Sequence, residues 1–207
     1  MKKPLIITHS GGFQPDDICA VASLSILLNG DFDLIRTRDK ALFPTGDYVV
    51  DVGEEHDPSR NRFDHHQLGG AGAHESGIPY AAFGLVWKTY GEKVSGSKEI
   101  AGRLEKMLVE AVDADDVGMV PTDKPKVPMY LFVDALYSFK PTLGHTYGFE
   151  PNKHRQRSIE LTIHFIFGDR FFCFSPFTSQ AHHAFGCSFP LLWHEHTSLQ
   201  SSLAAWA

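Results

Sequence analysis

Histidines and aspartates recur in this chain where short β-branched runs stop, and that coincidence limits the fold more than any bulk property. Leu5-Ile6-Ile7-Thr8 runs into His9, Tyr48-Val49-Val50 into Asp51, and Phe63 into Asp64-His65-His66. In open α/β sheets the carboxyl ends of the strands form the rim on which ligands bind. The expected architecture is therefore α/β, a mostly parallel sheet flanked by helices, with polar side chains gathered at one end.

The rest of the pattern agrees. Residues 5–8 read as a first strand, followed by a turn at Gly11-Gly12. From Asp16 the spacing of Ile18, Val21, Ala22, Leu24, Ile26, Leu27 and Leu28 predicts a buried helix that ends near Asn29-Gly30. Residues 33–38 and 48–52 read as second and third strands, and 57–61 as a turn leading into Phe63. Beyond the Gly-rich loop 69–72, residues 80–90 look amphipathic and helical. A further helix is expected over 98–112, with Ile100, Leu104, Met107, Leu108 and Ala111 on one face, running into Asp113-Ala114-Asp115-Asp116.

Bulk properties exclude several classes. A chain of 207 residues with 43% hydrophobic and 21% charged content suits a soluble globular protein. No 18-residue apolar run is present, so no membrane partner is expected. Met1-Lys2-Lys3 and the apolar residues after it resemble a signal peptide only superficially, because His9, Ser10 and two glycines break the run. A net charge of −6 argues against coating nucleic acid by bulk electrostatics. It does not argue against a nuclease, since bound divalent cations invert the local charge of an acidic cleft. Cys19, Cys173 and Cys187 fit neither a disulfide framework nor a zinc pattern, so a reducing, cytoplasmic setting is the default expectation. Residues 144–207 differ in character: phenylalanine crowds 165–177, and His182, His183, His194 and His196 follow no period. The expected division is a metal-binding domain over 1–143 and a divergent or truncated region over 144–207.

Four clusters carry the candidate chemistry: His9 with Asp16-Asp17, then Asp51, then Asp64-His65-His66, and finally Asp113 with Asp116. Singly, each has a plainer explanation. Asp16 or Asp17 can cap a helix, Asp51 can cap a turn, and Asp113 and Asp116 can be a solvated helix end. Together on one rim, such carboxylates would repel one another without cations between them. Mixed carboxylate and imidazole donors suit Mn²⁺, Fe²⁺, Zn²⁺ or Mg²⁺, and a shared carboxylate can bridge two ions about 3.5–4 Å apart. That is a hydrolytic site for phosphoric esters or anhydrides.

These residues carry a family resemblance. Thr8-His9-Ser10-Gly11 with Phe13, Asp16 and Asp17, then Arg36-Thr37-Arg38-Asp39, Val50-Asp51-Val52-Gly53 and Arg62-Phe63-Asp64-His65-His66-Gln67 closely resemble the Myg-type exonuclease family, relatives of the DHH phosphoesterases. The likeness continues through Ala82-Phe83-Gly84-Leu85-Val86, Val112-Asp113-Ala114-Asp115-Asp116 and Phe139-Lys140-Pro141-Thr142, so it covers residues 4–143. The resemblance implies a binuclear centre of two Mn²⁺ ions, with Mg²⁺ or another divalent ion as the alternative, and exonucleolytic hydrolysis of RNA or oligonucleotides. It implies His9, Asp16, Asp51, His65 and Asp116 as metal ligands. It gives Asp64, His66 and Asp113 catalytic roles, the first two orienting ligands or touching the scissile phosphate, and makes Arg36 and Arg38 forked phosphate donors.

Two positions depart from the pattern. Gln14 stands where the family carries histidine, and a glutamine amide is a weak metal donor; Val117 stands where asparagine is usual. Two alternatives follow. One is a catalytically impaired member that binds metal or nucleotide, and the other is a small-molecule phosphohydrolase of pyrophosphatase type.

Overall fold

The β-branched and apolar runs form strands because their side chains are covered on both faces, as in parallel sheets. Leu5–Thr8 is β1, Asp33–Arg36 is β2 and Tyr48–Val50 is β3. Two shorter strands follow, β4 (His56–Asp57) and β5 (Arg62–Phe63). The sheet order is β2-β1-β3-β5-β4. β1 pairs in parallel with β2 and β3, β3 pairs in parallel with β5, and only β4 runs antiparallel to β5. The fold is α/β with a mostly parallel sheet, as expected. The computed structural model describes residues 2–12, 14–119, 131–138, 159, 162 and 163. Phe13, the 139–142 segment, the expected boundary at 143 and nearly all of 144–207, including the four terminal histidines, lie outside the described residues.

The helix expected from Asp16 is α1, Pro15–Leu27, buried from Pro15 through Ser25. Proline at the first helical position is pre-organised and has no N–H to leave unpaired. The helix expected over 80–90 is α2, Ala82–Ser95, which ends on Gly96 at φ 84°. Ile6, Val50 and Phe63 of the sheet join Ile18, Val21, Leu24, Phe83, Leu85 and Val86 of the two helices in the main core. Complete burial of a Phe or Leu side chain contributes roughly 1.5–3 kcal/mol. On the other face Ile7, Val49 and Val52 form a small second cluster, covered by Leu5 and Phe43, the latter in a 3₁₀ turn at Phe43–Thr45.

The β4–β5 hairpin was not evident from sequence, where only its turn was legible. Asp57 Oδ1 accepts the Ser59 N–H at 3.0 Å and the Ser59 hydroxyl at 2.6 Å, and Asn61 adopts φ 57°. Each arm is two residues long, too short to show a period.

The helix expected over 98–112 is corrected in phase and in length. It comprises α3 (Lys98–Leu104), a wide π turn (Glu105–Val109) and α4 (Glu110–Asp116). The extra residue in the π turn rotates the buried stripe. Leu108, Val109, Val112 and Asp113 are buried, whereas Ile100 and Met107, expected to face inward, are 46% and 72% exposed. The acidic stretch is the last turn of α4 rather than a tail beyond it. A short α5, Phe132–Tyr137, follows.

Glycine is required at one helical position. A Cβ on Gly84 would overlap the Asp113 carboxylate and crowd the Tyr80 ring, whereas a Cβ on Gly102 would meet open space. Gly84→Ala is therefore expected to lower unfolding free energy by about 1–3 kcal/mol despite alanine's better helix propensity. Gly102→Ala is expected to raise it by up to about 1 kcal/mol. Urea denaturation of the two variants beside wild type checks both signs.

Candidate metal centre

The parallel register brings the ends of β1, β3 and β5 side by side: Thr8 is level with Val50, and Val50 with Phe63. The next residue of each strand, His9, Asp51 and Asp64, therefore falls on one rim. The start of α1 brings Asp16 and Asp17 to the same place, and the end of α4 brings Asp116. Three overlapping groups of ligand atoms result, each with all atoms within 4.8 Å of one another: His9, Asp17 and Asp51; Asp16, His65 and Asp116; and Asp51, Asp64, His65 and His66. Asp51 belongs to two groups and His65 to two, so Asp51 stands where a bridging carboxylate would.

Local backbone chemistry aims each side chain. Asp51 holds a left-handed φ of 53°, followed by Gly53 at 109° and Glu54 at 56°. Aspartate tolerates that region better than most residues, and a run of positive φ at a polar site marks a backbone that its surroundings over-determine. Asp64 is the clasp of this loop. Its Oδ2 accepts the Glu54 N–H at 2.5 Å, and its Oδ1 accepts the His65 N–H at 2.7 Å, the His66 N–H at 3.1 Å and the His66 ring Nδ1–H at 2.7 Å. Burial pushes the Asp64 carboxyl upward, but these bonds outweigh it and hold its pKa below the usual range.

Asp17 serves twice: Oδ1 accepts the Gln14 N–H at 3.1 Å, and Oδ2 lies 3.1 Å from His9 Nε2. The capping role weighed in the sequence is therefore present, and Asp17 also stands in a candidate ligand group. His9 Nε2 is also 3.3 Å from Asp51, and His65 Nε2 lies 3.5 Å from Asp51 and 3.2 Å from Asp116. His9 Nδ1 sits 3.1 Å from the Ser10 carbonyl. Nδ1 also lies 3.2 Å from Arg38 Nη2, which can only donate; in the tautomer that gives the Nδ1 proton to Ser10, Nε2 keeps its lone pair for a cation.

The donor set fits a divalent cation. His9 Nε2, both oxygens of Asp16, Asp51 Oδ1 and His65 Nε2 are buried without a hydrogen-bond partner. Buried polar atoms are normally satisfied, and these four residues all belong to the three overlapping ligand groups. Burial first, then the charges of Asp51, Asp116 and Asp17, hold the Asp16 carboxyl well above the usual range. Asp116 is raised by burial, with Asp51 adding to the shift and His65 opposing it. Burial lowers His9 and His65, but carboxylate partners reverse the sign and raise both: Asp17 and Asp51 for His9, Asp51 and Asp116 for His65. The centre thus binds protons more tightly than free side chains do, and a cation would compete with them.

The remaining expected residues divide. His66 is half-exposed and lines a cavity of 290 Å³ over the centre, together with His9, Gln14, Arg38, Asp51 and Asp64. Arg38 Nε donates to the Ser10 carbonyl at 3.2 Å, and Arg36 Nη2 donates to the Gly11 carbonyl at 2.6 Å. Both arginines brace the loop after β1, and only Arg38 also lines the cavity. Gln14 is inside the site, and its amide nitrogen donates to Asp116 Oδ1 at 3.2 Å.

Asp113 stands apart from all three ligand groups. Its carboxylate accepts from Gly84 N at 3.0 Å and meets His74 Nε2 at 2.8 Å, while His74 Nδ1 lies 3.1 Å from Glu105. The turn of α4 that carries it faces the core, where Asp113 and the buried His74 form a chain with the half-buried Glu105, away from the ligand groups. Nothing in the sequence marked His74, which sits in a loop 31 and 39 residues from its two partners.

An open parallel sheet with a carboxylate–imidazole cluster on its carboxyl-end rim defines an α/β protein with a candidate divalent-cation centre. The chain itself matches, over residues 5–157, the family described as "Uncharacterised protein family (UPF0160)", the Myg-type exonuclease family, and it belongs to that family. It is 31% identical to the MYG1 exonuclease of Bos taurus over 185 residues, which is 80% of this chain and 48% of that one. It is 37% identical to the MYG1 exonuclease of Homo sapiens over 138 residues, 58% of this chain and 37% of that one. With the MYG1 protein of Dictyostelium discoideum it shares 31% identity over 136 residues, 58% of this chain and 41% of that one. The chain thus spans about half or less of the length of these relatives. No solved structure matches it.

The pH behaviour follows with a definite sign. Asp16 is raised in the folded state, so the native protein holds a proton that the unfolded chain releases, and stability falls as pH rises from the unfolded value near ~4 toward the raised one. His9 and His65 are raised too; their contribution is full below ~6.5 and is lost as pH rises through their folded values. The chelator-treated protein should therefore lose melting temperature between pH about 5 and 8 through these groups. Added Mn²⁺ or Mg²⁺ should restore it at the upper end, since a ligand of the native state stabilises by mass action. Asp16→Asn should flatten the pH profile and weaken the rescue, read by thermal unfolding with and without cation.

Proposed function

We propose that the chain is the metal-binding part of a divalent-cation-dependent phosphoesterase that hydrolyses the phosphodiester bonds of RNA or oligonucleotides, with Mn²⁺ as the preferred ion. The observation that carries this reading is the convergence of unpartnered buried donors from His9, Asp16, Asp51 and His65 beneath an open cavity. Family membership and the identity of the cow and human relatives as MYG1 exonucleases support the substrate class.

His9, Asp17 and Asp51 would hold one cation, and Asp16, His65 and Asp116 a second, with Asp51 reaching to 3.5 Å from His65 of the second group. When bound, the cations supply Lewis acidity that activates water and neutralises phosphate charge. The chain's own residues do the positioning. Asp64 fixes His66 through Nδ1, which leaves Nε2 as the ring nitrogen that meets a substrate oxygen. Arg38, exposed at the cavity wall, presents a fixed cation to the phosphate.

Hydrolysis of end-labelled single-stranded RNA, with and without Mn²⁺, tests the reading. Wild type should cleave only with the cation. Asp51→Asn, and separately Asp64→Ala, should reduce the rate by about 100-fold or more, the scale of losing a preorganised group at a charge-stabilising site. A folded, cation-loaded wild type that leaves RNA intact overturns the reading.

One observation favours a second reading, an impaired member that binds metal or nucleotide. Gln14 spends its amide on Asp116 instead of offering a strong donor. Gln14→His is expected to tighten cation binding. If the wild type is inactive and this variant cleaves RNA, the second reading holds.

A further inference from the structure

A second cavity, of 260 Å³, adjoins the one above the metal centre. The two share Lys40, Phe43, Val52 and Gly53 as lining, so they form one continuous groove with Phe43 at the junction. The far compartment adds Arg60 and Arg62. Its position follows from the sheet. Arg62 is level with Val49 and precedes the core residue Phe63 in β5, so it lies on the face of the sheet that Val49 and Phe43 cover.

The charges of this compartment are unequal in availability. Arg60 is paired with Glu55 and with Asp57, the latter at 2.8 Å. Lys40 lies 3.4 Å from Glu54, with both side chains mostly exposed, a pairing that contributes little and exchanges readily. Among the described residues Arg62 has no carboxylate within ion-pair distance. Its Nη1 instead donates to the Arg60 carbonyl at 2.8 Å, which fixes the guanidinium in orientation while leaving other N–H donors of the fork. Burial, then the neighbouring Arg60 charge, disfavour its protonated form, with Asp47 and Asp57 opposing. Phe43 rests on Val49 and Val52, and Gly53 leaves room beside its ring: a Cβ there would come within 3.6 Å.

An aromatic ring beside an unpaired, oriented guanidinium, one groove length from a phosphodiester-competent centre, matches the chemistry of a nucleotide. Bases stack on aromatic side chains, and cations track the backbone. We propose that this compartment is a subsite for the nucleotide adjoining the scissile phosphodiester, with its base on Phe43 and its phosphate on Arg62 and Lys40. The subsite rests on the phosphodiesterase reading given above.

The test compares two substrates on the full chain loaded with Mn²⁺. Bis(p-nitrophenyl) phosphate is small enough to occupy the metal cavity alone, whereas a four-nucleotide RNA extends into the groove. Arg62→Ala and Phe43→Leu are expected to raise KM for the RNA about 10-fold, and to change kcat/KM for the small diester at least fivefold less. Phe43→Tyr, which keeps the ring, should retain RNA affinity. Equilibrium binding of a fluorescein-labelled tetranucleotide should weaken in parallel for the first two variants. Equal losses on both substrates, or unchanged RNA binding in a folded Arg62→Ala protein, overturn the subsite. Failure of wild type to hydrolyse either substrate sinks the phosphodiesterase reading instead, and the labelled-RNA binding then decides the subsite by itself.

Discussion

Four carboxylates, Asp16, Asp17, Asp51 and Asp116, share one rim with almost no access to water, and the rest of the structure is arranged around that repulsion. Two like charges 4 Å apart oppose each other by about 4 kcal/mol even at an effective dielectric of 20. The metal-free protein relieves the conflict with protons, raising Asp16 and Asp116 and drawing His9 and His65 toward their charged forms. Divalent cations relieve it more completely. A divalent cation would neutralise the same charge, and its binding would release the protons.

Such a cluster needs a scaffold that does not yield. The parallel register of β1, β3 and β5 fixes three of the ligand-bearing loops relative to one another. Each loop is then braced by its own chemistry. Arg36 and Arg38 grip the backbone after β1, the left-handed Asp51 begins the turn after β3, and Asp64 gathers four donors after β5. These contacts divide the work: Asp64 is saturated with hydrogen bonds, while Asp16 has none. A carboxylate with full hydrogen bonding shapes a loop; one buried without partners is available to a cation.

Much of this was legible because it is local. β1 and α1 follow from runs of apolar residues at fixed spacing, and the strand-end positions of His9, Asp51 and Asp64 follow from where those runs stop. The family motifs placed the site as a whole. What escaped depends on contacts distant in sequence or on small changes of phase. The β4–β5 strands are too brief to carry a period. Asp17 read as a cap because capping uses one of its oxygens, and its second contact, with His9, requires the folded sheet. His74 meets Asp113 only across 39 residues. Asp113 and Asp116 open and close one acidic stretch, the first expected in a catalytic role and the second as a ligand. They are neighbours one turn apart on α4: Asp113 meets His74 and Gly84 in the core, and Asp116 reaches the ligand cluster from the last turn.

The facing of both aspartates is set by the π turn at Glu105–Val109. In a helix each residue advances the angle by about 100°, so one additional residue reorients everything beyond it. The segment before the turn packs Ala101 and Leu104 against the core, and the segment after it sends Asp113 inward and Asp116 to the ligand cluster. Were the turn closed to regular α-helix by deleting a residue, the stripe before it would keep its facing while α4 swung out of step, and Asp116 would leave the rim. The extra residue works as a phase adjuster. It lets one continuous rod serve two clients, the hydrophobic core with its first half and the candidate metal centre with its last turn.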